Sequence, residues 1–84
     1  MNSGAVEIDT EKVDEAVLAL LYLGLHETAR TWKSFDWDAL GRLHKAGYIT
    51  DPVGKAKSVM FTYGGLAASE LAFVKLFRRR DGKP

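Results

Sequence analysis

From Ala16 to Leu25 the chain is apolar at almost every position: Ala16, Val17, Leu18, Ala19, Leu20, Leu21, Tyr22, Leu23 and Leu25 leave no polar face. A helix resting on a core shows a polar stripe, so this one has to be covered on most of its sides. Its start is legible. Asp9 suits the N-cap, Ile8 before it can staple onto Val13, and Glu11, Asp14 and Glu15 stand near the positive end of the helix dipole. Gly24 weakens the last turn, and His26 to Arg30 would prolong the helix beyond it. Thr31 to Ser34 reads as a connector, with Trp32 closing one side of the core rather than stacking on a base.

A second helix opens with the same device, Asp36 as N-cap and Phe35 stapled to Leu40. Trp37, Leu40 and the pair Leu43/His44 recur three and four apart and define its buried face. Asp38 and Arg42, four apart with the acid first, would pair on the other face. Gly47 suits the C′ position that ends the helix, with Tyr48 returning to Leu43 as in a Schellman motif. Asp51-Pro52-Val53-Gly54 then has turn residues where a type I turn wants them. From Lys57 to Thr62 the side chains alternate, Val59 and Phe61 to one face and Ser58, Met60 and Thr62 to the other, which predicts a strand paired with Tyr48 to Thr50. Thr62 caps a third helix, and Phe61 staples to Leu66 across that cap. Gly64 and Gly65 in its first turn each cost about 1 kcal/mol relative to alanine. Leu66, Leu71, Phe73, Val74, Leu76 and Phe77 give that helix a wide apolar surface.

The predicted fold is mainly α with a small β-hairpin (α+β), in the order helix, helix, β-hairpin, helix. Residues 1–7 read as a disordered N-terminus, 8–78 as one domain and 79–84 as a basic flexible tail. Leu40, Leu43, Ile49, Val59, Phe61 and Leu71 are the expected core.

Size changes the picture, since a domain of 84 residues buries only about 60% of the surface its unfolded chain exposes. There is no cysteine, so no disulfide or thiolate zinc site can reinforce it, which fits a reducing cytoplasm and leaves oligomerisation as the available device. The longest apolar run is about half the ~20 residues a membrane span requires, and the first residues lack the basic start of a signal peptide. The expectation is a soluble, cytoplasmic protein. The net charge of +1 conceals an asymmetry: residues 1–40 hold eight acids against three bases, residues 41–84 nine bases against three acids. Such polarity suits either a nucleic-acid footprint or a complementary contact between copies.

The sequence Leu40-x-x-Leu43-x-x-x-Gly47-Tyr48-Ile49, a turn, then Ser58-Val59-Met60-Phe61-Thr62-x-x-Gly65 resembles the second half of winged helix-turn-helix proteins, especially regulators of the MarR and PadR type. The resemblance implies that the second helix is a recognition helix and that Thr62 starts the helix after the wing. The run from Ile8-Asp9 through Glu15 to Leu23, Phe35 to Leu40 and Asp51 to Val59 is similar to a small bacterial family of unknown function, across nearly the whole chain. That likeness supports the fold and transfers no site. Between the first helix and the recognition helix only Thr31 to Phe35 and part of His26 to Arg30 stand where the regulators have a complete helix, so the domain is a truncated, winged-helix-like one.

No motif names a chemistry. His26-Glu27 begins like a zinc-protease helix, but Arg30 occupies the place of the second histidine. Gly54-Lys55 is followed by Ala56 where a phosphate-binding loop needs Ser or Thr. Paired acids such as Asp14/Glu15 and Asp36/Asp38 stand at helix starts, where capping explains them. The reading is a non-enzyme with no cofactor, no metal and no small-molecule substrate. Its first function is nucleic-acid binding, with Arg42, Lys45, Lys55, Lys57, Arg78, Arg79 and Arg80 on phosphates. The alternative is a protein-interaction module, an adaptor or a small inhibitor of a larger assembly. In either case a homodimer is expected, helix 1 of one chain beside helix 3 of the other, with Leu18, Tyr22, Leu25, Phe73 and Phe77 in the contact.

Overall fold

The computed structural model describes residues 7–27, 29–33, 35–54 and 56–79. Asp9 caps the first helix, α1 (Thr10–Leu23), its Oδ1 accepting the N–H groups of Glu11 and Lys12 at 3.1 and 3.2 Å. Ile8 stays largely exposed and adds little apolar cover to that cap. At the far end the Gly24 N–H turns back to the carbonyls of Leu20 and Leu21, and the buried Thr31 hydroxyl donates to the Leu21 carbonyl at 2.7 Å. The helix therefore stops at Gly24 and does not run on through His26 to Arg30 as the sequence reading expects. Those residues form a tight antiparallel pair instead, β1 (Leu25–His26) against β2 (Arg30–Trp32), with Leu25 opposite Thr31 and Glu27 at a positive φ of 55° in the reversal. Thr31 decides the competition: in the strand its β-branched side chain is buried and its hydroxyl satisfies a carbonyl that the helix end leaves open.

The second helix, α2 (Trp37–Lys45), starts on Asp36, whose Oδ2 accepts the Ala39 N–H at 3.0 Å. Ala39, Leu40 and Leu43 face inward, whereas Trp37, expected on that face, is 55% exposed. The Schellman ending forms in full: Tyr48 N–H reaches the Leu43 carbonyl at 3.0 Å, Gly47 N–H reaches His44 at 2.9 Å, and Gly47 takes a φ of +85°.

The last strand, β3 (Ser58–Met60), is bordered on both sides. Val59 stands opposite Thr31 of β2, and on the other flank Ile49 bridges Phe61 while Thr50 N–H reaches the Met60 carbonyl at 2.8 Å. The hairpin expected between Tyr48–Thr50 and Ser58–Thr62 is present, but β3 also joins a three-stranded antiparallel sheet of order β1-β2-β3. Trp32, expected to close the core, points away from it and is 54% exposed.

The third helix, α3 (Tyr63–Phe77), begins on Thr62, whose Oγ1 accepts the Gly65 N–H at 3.0 Å and whose hydroxyl donates to the Gly47 carbonyl. It packs along α1 through small residues, with Gly65, Ser69 and Ala72 buried. Leu71, expected in the core, is 72% exposed because α3 is rotated relative to the sequence expectation. The cause is steric. A Cβ on Gly65 would lie 1.8 Å from the Tyr48 carbonyl oxygen, so only the small-residue side of α3 can approach the body this closely. The core itself joins Val17, Leu18, Leu21, Ala39, Leu40, Leu43, Ile49, Val59 and Phe61. The molecule is a slab of 43 × 38 × 19 Å. Among the described residues no helix is long and apolar enough to cross a membrane.

Candidate functional site

Where α1, α2 and α3 meet, an open groove of about 740 Å³ has a floor of Leu18, Leu43, Tyr48 and Ala72 and an acidic rim from the start of α1. Two ion pairs cross it. Arg42 from α2 holds Asp14 of α1 with Nε 3.0 and 2.7 Å from the two carboxylate oxygens and a second nitrogen 2.8 Å from Oδ1. Lys75 from α3 reaches Glu15 at 2.9 Å. The hydrogen bond to Asp14 raises the Arg42 pKa above its ordinary value, reinforced by the charges of Asp14, Asp36 and Asp38 and opposed by desolvation. Asp38, four residues before Arg42, is not the partner the helix spacing suggests. The groove therefore ties its three helices together through its own charges.

The residues expected on phosphates divide accordingly. Arg42 is engaged by Asp14. Lys45 and Lys57 are exposed, on α2 and on the approach to β3, and Arg78 and Arg79 are exposed after α3. Lys55 and Arg80 lie outside the described residues. The outer side of α2 presents Trp37, Asp38, Gly41 and Lys45 around a shallow depression, with no Asn, Gln or free Arg placed to read base edges.

The five residues expected between subunits also divide. Leu18 is core at 5% exposure, so it cannot take part in a contact between chains. Tyr22 of α1 and Phe73 of α3 meet each other inside one chain, ring centroids 5.3 Å apart, and Phe77 extends the row at 5.5 Å from Phe73. Leu25 packs on the core. Of the five, Phe77 alone is exposed, at 47%. The apolar surround of α1 is largely met within the chain, by α2, α3 and the sheet.

Sequence reasoning missed the opposite side of α3. Tyr63 is 98% exposed and Val74 43%, and with Ala67 and Leu71 they form one stripe at offsets of 4, 8 and 11 along the helix. A signal for it existed: Gly65, Ala68, Ser69 and Ala72 share one face, and a run of small residues marks where a helix approaches another backbone. Among the described residues no group of three His, Cys, Asp or Glu side chains is placed to hold a metal ion.

Three helices around a small antiparallel sheet define a small α+β domain. The chain belongs to the family described as Domain of unknown function (DUF6429), whose profile matches residues 9–79. It is 53% identical over 74 residues to "Uncharacterized protein y4hR" of Sinorhizobium fredii (strain NBRC 101917 / NGR234), a match covering 88% of this chain and all of that protein. No solved structure matches the chain. The expected membership in a family without an assigned activity is met, and the match begins on the Asp9 cap.

Proposed function

We propose that the protein is a non-enzymatic interaction module that works as a homodimer, joined through the outward stripe of α3. The observation carrying this is the exposure of Tyr63, Leu71 and Val74 on a helix whose small residues are turned inward. An apolar stripe of this length on so small a domain is a contact surface by the usual patch argument. A second copy is the fitting occupant. Two α3 helices set antiparallel about a point between Glu70 and Leu71 bring Ala67 against Val74, so small meets large, and Tyr63 beside the second copy's Arg78, where the cation can lie on the ring. The interface differs from the helix 1 to helix 3 contact expected from sequence, because that contact is already made inside one chain.

Sedimentation equilibrium at tens of micromolar protein should return twice the chain mass of 9.3 kDa, and Leu71→Asp should return the single mass with an unchanged far-ultraviolet spectrum. A wild-type monomer, or a Leu71→Asp dimer, would refute the α3 contact.

A second reading, a winged-helix-like module on duplex nucleic acid, draws support from the succession of α2, the Ile49 bridge, β3 and α3 and from the exposure of Lys45 and Lys57. Under it, log K for duplex DNA falls with log salt by about 0.9 per phosphate contact. The engagement of Arg42 by Asp14 and the near absence of chain between β2 and α2 weigh against it.

A further inference from the structure

The solvent side of the sheet carries a set of side chains that the α3 contact does not use. The strand register sends Leu25, Thr31 and Val59 inward together. Alternation therefore sends His26, Arg30, Trp32, Ser58 and Met60 to the opposite face. There the Trp32 and His26 rings stack with centroids 4.5 Å apart and planes 25° apart. His26 is itself fixed by a contact of its Nδ1 with the Gly24 carbonyl at 3.3 Å, so it serves as a backing plate. Arg30 lies across the strands, 3.2 Å from Ser58 Oγ, 3.8 Å from Met60 Sδ and paired to Glu27 at 3.3 Å.

We infer that this face binds single-stranded nucleic acid, a base stacking on the open side of Trp32 and the backbone running past Arg30 and Lys57. A tryptophan held flat by a second ring and still more than half exposed offers a pre-ordered π-surface, and stacking on such a surface tolerates any base. Arg30 is the cation on this face, and Lys33 and Lys57 stand at the strand ends beside it, joined by the Lys33 N–H bond to the Lys57 carbonyl at 3.0 Å, against the acids Glu27 and Asp51. Of those acids Glu27 is paired to Arg30, and Asp51 accepts the Val53 N–H of its own turn. Lys33 holds the same turn through the Pro52 and Gly54 carbonyls, and Lys57 stands exposed at the start of β3. A paired duplex hides the flat sides of its bases, so the selectivity is for unpaired strands. On the solvent side of the described strands Met60 is the aliphatic side chain, too little by itself for a protein-binding pocket.

The test uses the full chain with Trp37→Phe, so that Trp32 alone reports, and a labelled thymidylate dodecamer at low salt. Saturable quenching of Trp32 emission is expected, with affinity lowered tenfold or more by Trp32→Ala and within a few-fold of the parent in Trp32→Phe. Lys57→Gln should reduce the salt slope by about 0.7, the single-strand value for one phosphate contact. Circular dichroism of each variant confirms that it is folded, which the exposure of Trp32 leads one to expect. No saturable quenching at micromolar protein, an unchanged affinity in Trp32→Ala, or equal binding of a duplex of the same length would overturn the inference.

Discussion

Gly65→Ala should abolish most of the protein's stability, although alanine is the better helix former by about 1 kcal/mol. The added methyl would stand 1.8 Å from the Tyr48 carbonyl oxygen, 2.6 Å from its carbon and 2.8 Å from Cα, and none of these backbone atoms can rotate away. Relief requires α3 to lift from the end of α2, which breaks the Thr62 N–H bond to the Tyr48 carbonyl (2.9 Å) and strains the Thr62 cap. Overpacking of side chains typically costs about 1–3 kcal/mol and a backbone collision more, against a total of about 5–15 kcal/mol for an ordinary domain. The matched control is Gly64→Ala, where nothing lies within 4 Å of the added carbon. Urea titrations should show a collapsed or absent transition for the first and an unchanged or slightly raised midpoint for the second. Helix propensity alone would have both variants more stable, so the sign at position 65 separates the two accounts.

Leu43→Ala should cost about 2–5 kcal/mol, the range for truncating a buried leucine. Leu43 is 3% exposed in the middle of the core, and its carbonyl is the acceptor that the Tyr48 N–H closes on. The cavity would open at the floor of the groove where α1, α2 and α3 meet, beside Leu18 and Tyr48. An unchanged urea midpoint would mean that α2 is turned the other way.

The helix starts were legible because caps are local: Asp9, Asp36 and Thr62 each reach a backbone N–H two or three residues ahead, and no tertiary knowledge is needed to place them. Gly47 and the hairpin of Tyr48–Thr50 with Ser58–Thr62 were legible for the same reason. β1 and β2 were not, since the continuation of α1 through His26 to Arg30 fails only when Thr31 finds the Leu21 carbonyl across ten residues. The face of α3 was misjudged by weighting large apolar residues, although close approach selects small ones. That single rotation moved Leu71 out, brought Phe73 onto Tyr22, and changed the candidate contact between chains. Arg42 reads as a phosphate ligand in sequence and proves to be a clasp, because Asp14 lies 28 residues away along the chain and 2.7 Å away in space.

Thr62 joins the Gly47 carbonyl, the Tyr48 carbonyl and the Gly65 N–H, and so fastens both sides of the hairpin at its base. The segment from Asp51 to Lys57 spans two ends that are already fixed. A protease cut within it would leave two fragments, one with α1 and α2 and one with β3 and α3, still held by strand pairing, the Thr62 bonds and the contact of α3 with α1. The turn itself stays pinned to β2 by Lys33, which holds the Pro52 and Gly54 carbonyls, so residues 47–50 and 61–65 keep their spacing when the chain between them is cut.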